Sequence, residues 1–128
     1  SFPPANLRDI LPQARKITDG INQALVLNNR ALLSGKLDEL LAFLKHSSMT
    51  PFAFRLIYND VIHTLLREHA ANVADSSDMK DMYDIFSLSG CQSVDDLDEL
   101  LRRLCDAILQ AEKPVSTEET GGIEEVGA

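Results

Sequence analysis

Leucine recurs at intervals of three and four residues along most of this chain, and that spacing constrains the fold more than any other feature. Side chains so spaced share one face of an α-helix, whereas a half-buried strand needs apolar and polar residues in alternation. No long alternation occurs and β-branched residues are sparse, so the sequence predicts an all-α fold. The cleanest stripe is Leu97, Leu100, Leu101, Leu104, Ile108 and Leu109, with Ser93 as N-cap and Asp95 and Asp96 in the electropositive first turn. It predicts a helix over about 94–112, with Cys105 on the apolar side and Arg102 and Arg103 on the outer side.

Four more helices follow from the same reasoning. Ala14, Ile17, Ile21, Ala24, Leu25 and Leu32 predict a helix over about 12–33, with Gly35 as a left-handed C-terminal cap and local weakness at Gly20 and Asn28. After a turn of two or three residues, Leu37, Leu40, Leu41 and Leu44 predict an antiparallel partner over 37–46, with His46 in its last turn. Thr50 and Pro51 open a third helix over 51–72. Its apolar residues, from Phe54 through Ile57, Tyr58, Val61, Ile62 and Leu65 to Leu66, cover nearly half the circumference and mark it as the expected central helix. A short fourth helix is expected over 78–88, carrying Met79, Met82, Tyr83 and Phe86 inward and stopped by Gly90.

The expected architecture is therefore a single compact bundle of about five helices. With 128 residues there is room for one core. The bundle domain is expected over 1–112. Residues 113–128, KPVSTEETGGIEEVGA, have too little apolar area to offset their ordering entropy and read as an acidic linker or tail.

Twenty acidic against twelve basic residues give a net charge of −8, which opposes the counterion release that drives binding to nucleic acid or anionic lipid. No direct nucleic-acid contact is expected, and no apolar run approaches the ~20 residues of a membrane span. Cys91 and Cys105, with thirteen residues between them, fit neither a CxxC redox pair nor a zinc set. Both are expected as reduced thiols, which suits a cytoplasmic setting.

The chemistry-bearing side chains have ordinary structural explanations. Asp60, His63 and His69 share part of a helix, but there is no HExxH and no second carboxylate at matched spacing, so no metal site is expected. Asp75, Asp78, Asp81 and Asp84 recur at the wrong interval for a calcium loop, and Gly121 and Gly122 lack a phosphate-loop lysine. No catalytic residue and no cofactor is expected, and the chain reads as a non-enzyme. Two association features stand out. Ala14, Ile17, Ile21 and Ala24 follow an approximate heptad and are the candidate face of a homodimer. Phe54, Tyr58, Met82, Tyr83 and Phe86 are the candidate lining of a small-molecule pocket.

From Ala31 to Ala111 the order and wording of these elements resemble the helical segment that precedes the DNA-binding domain in AraC-type transcription regulators of the YesN kind. The resemblance rests on LLSGKLDELLAFL, on SMTPFAFRLIYNDVIHTLLREH with its Ser48–Pro51 opening and Leu56, Ile57 and Tyr58, and on SVDDLDELLRRLCDAILQ. It implies a non-catalytic transmission or dimerisation segment joining an upstream sensor or receiver module to a downstream DNA-binding domain. The paired helix-turn-helix motifs of that group are absent from this sequence, and the acidic tail stands where they would begin. A small-molecule-sensing helical domain and a free-standing protein–protein adaptor are the alternatives.

Overall fold

A computed structural model describes residues 7–73 and 92–111. Among these residues the fold is all-helical, with α1 at Leu7–Val26, α2 at Arg30–His46, α3 at Pro51–Val73 and α4 at Val94–Ala111. The expected helix over 78–88 and the acidic tail lie outside the described residues.

The first hairpin turns earlier than its sequence suggests. α1 begins at Leu7 rather than Pro12 and ends at Val26 rather than near Leu33, and α2 begins at Arg30 rather than Leu37. Asn28 adopts a left-handed backbone, φ 52°, and its N–H donates to the Leu25 carbonyl while that of Asn29 donates to Ala24, each at 3.0 Å. This pair of bonds is a Schellman stop with asparagine in the position glycine usually takes. Asn29 then starts the next helix, its side-chain oxygen accepting from the Leu32 N–H at 3.0 Å. Gly35 is thus not a cap: it lies inside α2, on its exposed side. Nor does Gly20 interrupt α1, so the weakness expected at both residues falls at Asn28 alone.

The remaining caps fall where the sequence puts them. Thr50 Oγ1 accepts from the Ala53 N–H at 3.1 Å to open α3, and Ser93 Oγ accepts from the Asp96 N–H at 3.1 Å to open α4. His46, in the last turn of α2, donates from Nδ1 to the Ala42 carbonyl at 2.7 Å.

Ion pairs fix how the helices run. α2 and α4 are antiparallel, tied in order by Lys45–Asp95 at 2.9 Å, Asp38–Arg102 at 2.6 Å and Arg30–Asp106 at 3.2 Å. α1 and α3 are parallel: Arg15 grips Asp60 through two bonds of 3.0 and 3.1 Å, and about two turns further along Asn22 Oδ1 meets His69 Nε2 at 3.1 Å. Exposed pairs of this kind add little stability, so their main effect is on register. Since α1 and α2 form a hairpin, α1, α3 and α4 all point one way and α2 the other.

α1 packs on α2 and α3, α4 packs on the same two, and α1 and α4 touch across the middle. Among the described residues the third helix is therefore a corner of the bundle and not its centre. The core is one cluster of Leu, Ile, Val and Ala from all four helices, with Ile21, Leu25, Leu40, Leu44, Ile57, Leu65, Leu101 and Leu104 among its fully enclosed side chains. Its few polar members are satisfied. The Thr18 hydroxyl donates to the Ala14 carbonyl at 2.7 Å, His69 holds Asn22, and no buried side-chain nitrogen or oxygen among the described residues lacks a partner.

Candidate functional site

The residues proposed for a dimer face are consumed inside the chain. Ala14, Ile21 and Ala24 are fully buried and Ile17 nearly so, all in the common core. The heptad-like spacing of α1 is thus explained by packing on its own bundle, and these four side chains are not available to a second copy while the bundle is intact.

The proposed pocket residues separate. Met82, Tyr83 and Phe86 lie outside the described residues. Phe54 and Tyr58, one turn apart on α3, make a tilted aromatic pair with ring centres 6.3 Å apart. Tyr58 is buried in the core, whereas Phe54 is only half-buried and forms a wall of an open groove.

That groove, of about 590 Å³, lies at the end of the bundle where α2 stops, α3 starts and α4 starts. Ser47 leaves α2 with an extended backbone and Thr50 caps α3 three residues later, so the connection is short and the first turns of α3 and α4 stand beside it. Leu44, Met49, Phe54 and Val94 supply apolar walls, and Lys45, Arg55 and Asp95 the charges. Most of those charges are already engaged. Lys45 pairs with Asp95, and the neighbouring Asp96 accepts from the Gln92 N–H at 3.2 Å. Arg55 is exposed and makes no ion pair among the described residues. Sequence reasoning placed Phe54 at a pocket but missed Met49, Arg55 and Val94, because the groove joins residues 44–55 to residues 92–95, far apart in the sequence.

Elsewhere several titratable groups tie the helices together. Asp60 is held by Arg15, whose guanidinium is raised above its ordinary value first by that hydrogen bond and then by the charge of Asp60. Arg102 is raised likewise, chiefly by its hydrogen bond to Asp98, and reaches on to Asp38. His63 is exposed, and no group of three or more potential metal ligands occurs among the described residues. Cys105 is a free, buried thiol pushed up to about 12, mainly by burial and further by the charge of Asp106.

At the other end of the bundle Val26 is 74% exposed and Leu27 61%, with Leu32 at the edge of the same corner. Phe52 and Leu56 form a second exposed apolar pair on α3. No described helix is long and apolar enough to cross a membrane. No protein family, curated protein or solved structure gives a significant match to this chain.

Proposed function

We propose that this bundle is a non-catalytic transmission and dimerisation segment of an AraC-type transcription regulator, passing a signal from an upstream sensor or receiver module to a downstream DNA-binding domain. The observation that carries the reading is the direction of the helices. α1 and α4 are parallel, and α4 packs on α2 through the common core in an antiparallel register marked by three ion pairs along its length. The chain therefore enters the bundle at one end and leaves it from the other, about 27 Å away at 1.5 Å per residue of α4. A module before Leu7 and a module after Ala111 would face opposite ends of one rigid body, so a shift of α1 against the core would be delivered at the far end.

Charge supports a segment that makes no nucleic-acid contact of its own. Ten cationic and eleven anionic side chains lie among the described residues, and nine carboxylates against two lysines lie outside them. Neither part carries the excess of positive charge that phosphate recognition draws on. The reading places the protein in the cytoplasm as a homodimer. With the apolar face of α1 buried, the second copy would meet exposed residues, the Val26, Leu27 and Leu32 corner or the Phe52 and Leu56 pair.

Sedimentation equilibrium of the 128-residue chain from low to high micromolar concentration tests this. The expected outcome is a monomer–dimer equilibrium, together with no change in fluorescence anisotropy of a random DNA duplex at low salt. A monomer at every concentration would remove the dimerisation half of the proposal, and duplex binding at low salt would remove the relay half.

A further inference from the structure

We propose that the groove between the α2–α3 connection and the start of α4 binds a small organic carboxylate with an apolar body, and that Arg55 is the residue that recognises its charge. This inference is independent of the relay reading, because it needs neither a second copy nor a neighbouring module.

Size comes first. At about 590 Å³ the groove lies inside the roughly 300–1,000 Å³ range of small-molecule sites. Its chemistry then narrows the ligand. Met49, Phe54 and Val94 are apolar side chains only partly covered, each packed against the core on one side and lining the groove on the other. Filling the groove with hydrocarbon would remove that remaining surface from water, a gain that scales with the area covered. A purely polar ligand would leave it unused.

Charge supplies the other half. The cation Lys45 and the anion Asp95 neutralise each other at 2.9 Å. Arg55 lines the same groove with no ion pair among the described residues. One uncompensated guanidinium beside an apolar wall matches a single carboxylate on a hydrocarbon or aromatic body, and the planar fork can take both carboxylate oxygens. The overall charge of −8 does not defeat this, since most of the excess lies outside the described bundle and charges separated by more than about 8–10 Å are largely screened at physiological salt.

The proposal is tested on the full chain by calorimetric titration and thermal unfolding with octanoate and benzoate as probes, and with octanol, benzyl alcohol and acetate as controls lacking either the charge or the body. Octanoate or benzoate is expected to bind and to raise the melting temperature, and the controls to do neither. Arg55→Gln is expected to weaken binding by about tenfold or more, the size of one lost charge-assisted hydrogen bond. Phe54→Ala should weaken it too, while Arg103→Gln, on the exposed side of α4 and outside the groove, should leave it unchanged. Arg55 is exposed, so its replacement leaves the core intact, and circular dichroism checks that all three variants are folded. Absence of binding by both carboxylates, equal binding of octanol and octanoate, or an Arg55→Gln variant that binds like the parent would each overturn the assignment.

Discussion

The two ends of this bundle are built from connections of similar length and come out differently. At the α1–α2 corner, residues 27–29 close the turn through local bonds, with the backbone at Asn28 and Asn29 stopping one helix and the Asn29 side chain capping the next. At the α2–α3 corner, residues 47–50 link two capped helices but leave space beside them, and the first turn of α4 borders that space instead of filling it. A turn that satisfies its own backbone needs no third element to lean on it. A turn that does not fold back on itself leaves walls that water, or a ligand, must cover.

If the ends differ in this way, removing the same side chain should cost different amounts at each. Leu25 is fully buried one turn from the closed corner, and Leu44 is equally buried but borders the groove. Leu25→Ala is expected to destabilise by about 4 kcal/mol and Leu44→Ala by about 2 kcal/mol, the upper and lower parts of the range for such changes, because space next to an open groove can collapse or hydrate. Urea unfolding with unchanged slope would measure both. Equal losses would break the comparison.

A second contrast concerns pH. Cys105 lies towards the closed end, beside Leu33 and Leu37, and its thiol is raised from 9.0 to about 12, mainly by burial. A raised thiol favours the folded state fully below the unfolded value, and that contribution is lost as pH climbs through the folded one. Stability is thus expected to fall between about pH 9 and about pH 12, and to fall less in a Cys105→Ala variant. In a Cys91→Ser background, the remaining thiol should react with a thiol reagent only when the bundle opens, at a rate that follows global unfolding.

The closed corner depends on one unusual backbone conformation. Asn28→Ala keeps the left-handed φ of 52° but loses the residue type that tolerates it, and is expected to cost about 1–2 kcal/mol. Asn28→Gly should cost nothing or stabilise slightly. Thermal unfolding of the two variants checks the order; a glycine variant less stable than the alanine one would mean the turn is held by the asparagine side chain.

Most of the fold was legible because leucine spacing and caps speak about the same few residues. Ser93 with Leu97 to Leu109 gives α4, and Thr50 with Pro51 gives the start of α3, each within a residue or two. The first hairpin was misread where a strong rule met a weaker instance of the same rule: glycine is the commoner left-handed residue, so Gly35 outweighed Asn28. The stripe itself held the answer. Leu33, Leu37, Leu40 and Leu44 are all buried at steps of four, three and four, which is one unbroken helix running past Gly35. The groove was scarcely legible, since its shape depends on which end of α4 stands beside Met49. That depends on contacts between distant parts of the chain, of which Lys45–Asp95, between residues fifty apart, is one.

Gly35 provides the finest test of this reading, because the two interpretations predict opposite signs. As a left-handed cap it would be strained by a Cβ, and alanine would destabilise by about 1 kcal/mol or more. As an exposed interior residue of α2 it carries a backbone entropy cost that alanine removes, and a Cβ there meets nothing within 4 Å. Gly35→Ala is therefore expected to stabilise by about 0.5–1 kcal/mol. Gly20→Ala, in α1, should gain less, since its Cβ would come within 3.0 Å of Lys36 Cδ and push a side chain that holds Glu39 at 3.2 Å. A gain at Gly35 that exceeds the gain at Gly20 places the hairpin at Asn28 and Asn29; a loss at Gly35 would move the turn back to the glycine and remove the closed corner altogether.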